Sequence, residues 1–138
     1  MLAHAAPLAQ VVSLTIDAPG AANAAKLWES SGLGNIRVEL VASWDYLKKA
    51  RGKWDMIWID GDHNQIRKDL PWFNRLVDGG LLLCHDYSPQ DSARPSAICY
   101  ATLNEMRETL GRPFDVEIID EEKTGMVGFY RRAGERWL

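Results

Sequence analysis

Residues 54–87, "WDMIWIDGDHNQIRKDLPWFNRLVDGGLLLCHDY", contain two apolar runs that each end in a group of ionisable side chains. The first run leads into "DGDH" (60–63), and the second leads into "HDY" (85–87). Between them, apolar residues recur at helical spacing. This stretch therefore predicts two buried strands joined by a helix, with carboxylates and imidazoles where the strands end.

The same alternation of strand and helix extends over most of the chain. Gly32 ends the first predicted helix, and Pro71 is expected to kink the helix within the quoted stretch. Strands that alternate with helices favour right-handed crossovers and a largely parallel sheet. The predicted fold is α/β, a Rossmann-like, doubly wound and mostly parallel sheet within a single domain at 1–138. Its predicted parallel strands are 11–17, 35–43, 54–60 and 81–87.

The C-terminal part of the chain departs from this alternation. A helix is predicted from Pro95 to Gly111, and "FDVEIID" (114–120) and "GMVGFYRR" (125–132) then follow with no room for a helix between them. These two segments predict an antiparallel hairpin. The last residues, "RRAGERW" (131–137), are expected to form a solvated tail, and the Pro- and Ser-containing segment 88–96 is a candidate lid.

Composition excludes several classes of function. The chain has 138 residues, 46% of them hydrophobic, and a net charge of -3, so no basic face for nucleic acid is expected. No apolar run reaches the ~18 residues of a membrane span, and the first residues lack a secretion signal. Cys84 and Cys99 lack metal-ligand spacing and are typical of buried free thiols in a reducing cytoplasm, although a single disulfide stays open. We expect a cytoplasmic protein.

Polar side chains lie at or just after the carboxyl end of each of the four predicted parallel strands. Ligands of such sheets bind outside the carboxyl ends of the strands, so these side chains are expected at one ligand-binding edge. Each has a purely structural alternative: Asp17 as a helix cap, Asp60 as a turn residue, and His63 as a solvated helix start. Their occurrence at the end of every strand favours a site. The side chains in question are Asp17, Ser43, Asp60, Asp62, His63, His85 and Asp86.

The motifs "WDMIWIDGDH" and "DLPWFNRLVDGGLLLCHDY", with the closing hairpin, resemble the class I S-adenosylmethionine-dependent methyltransferases. The nearest branch is that of the small-molecule O-methyltransferases. The resemblance implies S-adenosylmethionine as cofactor and a small-molecule acceptor as partner. It implies that Asp17, Ser43, Trp44, Asp60 and Gly61 contact the cofactor, with Asp17 on the ribose. Trp44 is placed where it stacks on the adenine or simply packs.

The same resemblance implies roles for the remaining ionisable groups. Asp60, His85 and Asp86 match positions that hold a divalent cation such as Mg²⁺ in metal-dependent relatives, although an imidazole suits Mg²⁺ poorly. His63 matches the position of a general base. A hydroxyl acceptor must lose its proton as it attacks the sulfonium methyl, and a histidine can accept that proton.

The resemblance lacks one element near the N-terminus. In this fold a first strand and a glycine-rich turn precede the strand at 11–17, whereas "MLAHAAPLAQ" (1–10) contains no glycine and is expected to be the tail of the first helix. The first strand is therefore expected to be absent. The chain is then a fragment, or the strands at 11–17 and 54–60 pair directly, or another chain fills the gap, for instance in a homodimer.

Two other functions stay open. A degenerate methyltransferase-like domain that binds or scaffolds without catalysis would explain the absent glycine-rich turn. A nicotinamide-dependent oxidoreductase shares the ribose-binding logic, but it gains nothing from the "DGDH" and "HDY" motifs. Binding of S-adenosylmethionine discriminates best among them.

We predict that residues 1–138 alone bind S-adenosylmethionine weakly or not at all. Asp17 offers one charged hydrogen-bonding contact, worth ~1.5–3 kcal/mol. A micromolar site needs about 8 kcal/mol. Titration calorimetry on the isolated chain is the measurement, and micromolar binding by a monomer would show that the cofactor loop lies elsewhere in the sequence.

Overall fold

Strands and helices alternate along the chain in the predicted order. The computed structural model describes residues 8–88, 96–120 and 124–138. The expected helix tail at 1–7 and most of the candidate lid, 89–95, lie outside the described residues. The elements are β1 (Val11–Thr15), α1 (Ala18–Ser31), β2 (Ile36–Leu40), α2 (Ser43–Lys49), β3 (Trp54–Ile59), α3 (Ile66–Asp69), β4 (Leu76–Tyr87), α4 (Ser96–Leu110), β5 (Val116–Ile118) and β6 (Gly125–Tyr130).

The chain divides into two units, Met1–Ala50 and Arg51–Leu138. In the first unit β1 and β2 pair in parallel over five residues, from Val11 opposite Ile36 to Thr15 opposite Leu40. Helix α1 connects them and ends at Gly32, whose φ of 72° lies in the left-handed region that glycine adopts without a steric cost. The parallel pairing and the helix end are confirmed, and the single domain over 1–138 stays a prediction.

The second unit contains a four-stranded sheet in the order β3-β4-β6-β5. Strands β3 and β4 are parallel, and β6 lies antiparallel to both β4 and β5. The closing hairpin is therefore confirmed, and the chain has the predicted α/β fold with parallel strands followed by an antiparallel pair.

The connection between β3 and β4 is not one continuous helix, and one of its interruptions lies at Pro71, as expected. A 3₁₀ turn at His63–Gln65 leads into the single turn of α3, and a second 3₁₀ segment, Leu70–Arg75, begins where Pro71 cannot donate a backbone hydrogen bond. Ile66, Leu70 and Phe73 from this segment are buried in the core. The broken helix thus still covers one face of the sheet.

Strand β4 begins five residues earlier than the sequence pattern indicated. Leu76, Val77 and Gly79 precede the predicted strand at 81–87, but all three lie in β4. The backbone at the end of β6 accounts for the difference. The Arg131 carbonyl accepts a hydrogen bond from the Gly79 amide at 2.7 Å, and the Arg131 amide donates to the Gly80 carbonyl at 2.8 Å.

The C-terminal segment is not the solvated tail that its charges suggested. Trp137 is 2% exposed, and its backbone amide donates to the Asn74 side-chain oxygen at 2.8 Å. The Arg112 guanidinium lies between Glu135 and Asp115, at 2.7 Å and 2.6 Å, and donates to the Tyr130 carbonyl at 2.8 Å. Because charges this far from water are costly unless paired, this arginine fastens the tail to β6.

The two cysteines do not form a disulfide with each other. Cys84 on β4 and Cys99 on α4 are both free thiols in the core, as expected. No helix among the described residues is long and apolar enough to cross a bilayer.

The residue before the end of β4 has a strained backbone. Asp86 is the one described residue other than glycine with a positive φ, 61°. The left-handed region costs most residues roughly 1–2 kcal/mol, and such outliers concentrate at functional sites. The positive φ of Asp86 therefore marks this strand end as a candidate functional position.

Replacing Arg112 by Met should lower the free energy of unfolding by about 3 kcal/mol, because Glu135 and Asp115 would lose their buried cation. Urea unfolding measures the change. Arg132→Met is the control, since Arg132 is exposed and its replacement should change stability by less than about 0.5 kcal/mol. Equal effects of the two variants would contradict the role given to Arg112.

At position 86, glycine should be more stabilising than alanine, by about 1–2 kcal/mol, because both lack the carboxylate and only alanine suffers the left-handed strain. The free energies of unfolding of Asp86→Gly and Asp86→Ala test this. The same pair at Asp55, an exposed position on β3 with ordinary φ, should show the opposite order. A common order at both positions would refute the strained backbone.

Candidate active site

The register of β3 and β4 brings their polar ends together. The last aligned pair is Ile59 opposite Cys84, so Asp60 and His85 follow at the same level of two neighbouring strands. One ligand atom from each of Asp60, His85 and Asp86 lies within 4.8 Å of the others. The clustering expected from the sequence is therefore present among these residues of the second unit.

Asp86 lies between the two imidazoles of the cluster. Its Oδ2 is 2.5 Å from His63 Nε2, and its Oδ1 is 3.1 Å from His85 Nδ1. The side chain of Asp86 is 17% exposed, against 32% for His63. One carboxylate thus makes a separate contact to each histidine through a different oxygen.

The surroundings of Asp86 favour its ionised form. Burial raises the pKa of the Asp86 carboxyl, but hydrogen bonds from the side chains of His63 and Thr124, together with favourable electrostatic interactions with the two histidines, outweigh it. The pKa of Asp86 therefore lies below its ordinary value. An ionised Asp86 is suited to fixing an imidazole tautomer or binding a cation.

His85 contributes a nitrogen that the protein leaves without a hydrogen bond. Its Nδ1 is 3.4 Å from Asp60 Oδ1 and 3.1 Å from Asp86 Oδ1, which is within ion-pair range. Neither contact has hydrogen-bond geometry, however, and Nδ1 is shielded from solvent. Burying a polar atom unsatisfied costs free energy, so the geometry suits a cation shared by the three side chains.

A cavity of about 10 Å³ lies within this cluster, with room for about one water molecule or ion. Its lining includes Asp60, His63, His85 and Asp86, and Cys99 reaches it from α4. Burial raises the pKa of the Cys99 thiol to about 12, with a further contribution from the negative charge of Asp86. Cys99 is therefore a neutral thiol near pH 7 and is not a nucleophile.

The turn after β3 is formed by Asp62 and not by Asp60. Asp62 accepts a hydrogen bond from the Asn64 amide at 3.0 Å and starts the 3₁₀ turn that carries His63. Asp60 is thereby left to face His85, while Gly61 lines the cavity. The "DGDH" sequence thus supplies one ligand candidate, one turn cap and one imidazole.

The remaining predicted cofactor contacts belong to the first unit. Asp17 caps α1, accepting a hydrogen bond from the Gly20 amide at 3.1 Å, as its structural alternative predicted. Ser43 and Trp44 begin α2 and are half-buried. The expected proximity of these three residues to the cluster, and their binding of the cofactor, stay predictions.

Sequence reasoning missed two residues of the site, Thr124 and Cys99. Thr124 precedes β6 and reaches Asp86 because Tyr87 at the end of β4 pairs with Gly125 at the start of β6. The predicted hairpin contained that signal, since an antiparallel strand begins where its neighbour ends. Nothing in the periodicity of α4 distinguishes Cys99 from an ordinary core residue.

Solved structures with this fold include several methyltransferases. The O-methyltransferase from Bacillus cereus in complex with SAH is 15% identical, with a TM-score of 0.68, covering 88% of this chain and 63% of that chain. The O-methyltransferase TomG from Streptomyces achromogenes in complex with SAM is 13% identical, with a TM-score of 0.68 and coverages of 88% and 62%. The SAH-bound methyltransferase PaMTH1 from Podospora anserina is 13% identical, with a TM-score of 0.66 and coverages of 88% and 61%.

These similarities extend over nearly the whole of this chain but less than two thirds of each relative. At such identities they establish the fold. No curated protein matches the sequence significantly. The sequence profile described as "Methyltransferase domain" matches residues 1–87, which is more than half of the 138 residues and includes Asp60, His63, His85 and Asp86. The chain therefore belongs to the methyltransferase domain family.

Proposed function

We propose that the protein transfers a methyl group from S-adenosylmethionine to a hydroxyl of a small molecule, with His63 as the general base. The observation that carries the proposal is the contact of 2.5 Å between His63 Nε2 and Asp86 Oδ2, in a chain of the methyltransferase domain family. S-adenosylmethionine supplies the electrophilic methyl group when it is bound. The protein's part is then to align the acceptor and remove its proton.

The contact with Asp86 favours Nδ1 of His63 as the nitrogen that acts as the base. When Nε2 carries the hydrogen and donates it to Asp86, the neutral ring has its lone pair on Nδ1. Nδ1 is then the atom that accepts the hydroxyl proton, and Asp86 stabilises the imidazolium that results. The 32% exposure of the His63 side chain is consistent with access for an acceptor.

The donor set of Asp60, His85 and Asp86 fits a divalent cation, because an unsatisfied imidazole nitrogen faces two carboxylates beside a cavity of ion size. A bound cation would orient the acceptor hydroxyl and lower its pKa. Asp86 can contribute to both functions, since Oδ1 is on the side of His85 and Oδ2 on the side of His63.

Residues of the first unit are proposed to hold the cofactor. The Asp17 carboxylate caps α1 through Oδ2, and an ionised carboxylate retains further acceptor sites for ribose hydroxyls. Ser43 and Trp44 would contact the adenine. In the second unit, Asp60 and Gly61 are the positions that the resemblance assigns to the cofactor. This part of the proposal rests on the family resemblance of those positions.

In the full-length protein, replacing His63 by Ala should reduce the turnover number ~10²–10⁴-fold and leave the affinity for S-adenosylmethionine nearly unchanged, because the loss falls on proton transfer. The measurement is S-adenosylhomocysteine release with a panel of phenolic, catecholic and sugar acceptors, alongside calorimetry with S-adenosylmethionine.

Arg67→Ala is the matched control for this experiment. Arg67 lies on the next turn of the chain, is exposed, and pairs with Glu105 at the surface, so its loss should leave turnover unchanged. Turnover that is insensitive to His63→Ala would refute the base. A protein that binds S-adenosylmethionine without turning over any acceptor would instead favour the binding or scaffold function.

A further inference from the structure

We propose that the cation site formed by Asp60, His85 and Asp86 selects a transition-metal dication over Mg²⁺, and that His85 Nδ1 determines this choice. The inference deepens the proposed function and rests on it for the catalytic purpose of the cation. It concerns the identity of the metal, which nothing in the family assignment specifies.

The types of donor atom at the site favour a transition-metal ion over Mg²⁺. Mg²⁺ is a hard cation that takes oxygen ligands and keeps several of its waters, whereas an imidazole nitrogen suits the later first-row dications. Two carboxylates and one imidazole form a mixed oxygen and nitrogen donor set. Such a set favours Mn²⁺, Fe²⁺, Co²⁺ or Zn²⁺.

The distances between the donor atoms fit direct coordination of one metal ion. Metal–ligand bonds of about 2.0–2.2 Å place neighbouring ligands about 2.8–3.1 Å apart in octahedral coordination and about 3.3–3.6 Å apart in tetrahedral coordination. The His85 nitrogen is 3.1 Å and 3.4 Å from the carboxylate oxygens of Asp86 and Asp60. These separations match those of adjacent ligands on one ion.

The Nδ1 atom of His85 lacks a hydrogen-bond partner that a directly bound metal would replace. This nitrogen is shielded from solvent and makes no hydrogen bond, although two carboxylates lie beside it. A hydrated Mg²⁺ ion could satisfy this nitrogen only through one of its waters, and the cavity of about 10 Å³ has room for about one ion and not for an ion with its waters. A directly coordinated metal satisfies the nitrogen within that space.

His63 is the other imidazole at the cavity, but its contact with Asp86 does not place it among the proposed metal ligands. Its Nε2 is committed to Asp86 Oδ2 at 2.5 Å, on the opposite oxygen from the one near His85. His63 therefore supplies the comparison that separates a ligand from a neighbouring imidazole.

Calorimetric titration of the intact protein with Co²⁺ and with Mg²⁺, without cofactor or acceptor, tests the proposal. Most sites prefer Co²⁺, so the decisive quantity is the change in the affinity ratio on substitution. In His85→Asp, and in the less charged His85→Asn, the ratio of Co²⁺ to Mg²⁺ affinity should fall by at least about tenfold. The visible spectrum of bound Co²⁺ should change in both variants.

His63→Ala should keep the affinity ratio within about twofold, since the ligand nitrogen remains. An unchanged ratio in both His85 variants, a ratio that collapses only in His63→Ala, or a wild-type protein that binds neither ion would each overturn the proposal. Normal Co²⁺ selectivity in a protein that transfers no methyl group would instead fault the proposed function. The two failures are therefore distinguishable.

Discussion

The site depends on a single carboxylate, Asp86, that contacts two imidazoles through its two oxygens. Parallel pairing of β3 with β4 brings His85 beside Asp60, and the 3₁₀ turn after β3 brings His63 back to Asp86. The left-handed backbone at Asp86 is the conformational cost of this arrangement. Hydrogen bonds from His63 and Thr124 help to keep the carboxylate ionised despite its burial. If Asp86 were absent, His63 would lose its orientation and His85 one of its two carboxylate neighbours.

The sequence was sufficient to predict the parts of the structure that follow from periodicity and from strand ends. Two apolar runs that end in "DGDH" and "HDY" predicted both the parallel pair and the grouping of Asp60, His63, His85 and Asp86, because parallel strands present their carboxyl ends at one edge. The contacts of Asp86 with each histidine could not be predicted, since they depend on side-chain rotamers and on a positive φ that is uncommon for residues other than glycine.

Long-range polar contacts limited prediction at the C-terminus. "RRAGERW" has the composition of a solvated tail, yet Arg112, nineteen residues before Arg131, pairs with Glu135, and Trp137 is buried beside Asn74. The early start of β4 has the same origin, because Gly79 and Gly80 pair with the backbone of Arg131. Local propensity carries no information on such partners, and tertiary contacts override it.

The central claim is that Asp86 and His63 form one interacting unit, and a double-mutant cycle on stability tests it most directly. Free energies of unfolding are measured for the wild type, His63→Ala, Asp86→Gly and the double variant. The backbone effect of glycine cancels in the cycle. A charged hydrogen bond contributes about 1.5–3 kcal/mol, and partial exposure reduces this, so we predict a coupling energy of at least about 1 kcal/mol. Effects that add to within about 0.3–0.5 kcal/mol would show that the two side chains do not interact and would contradict the account.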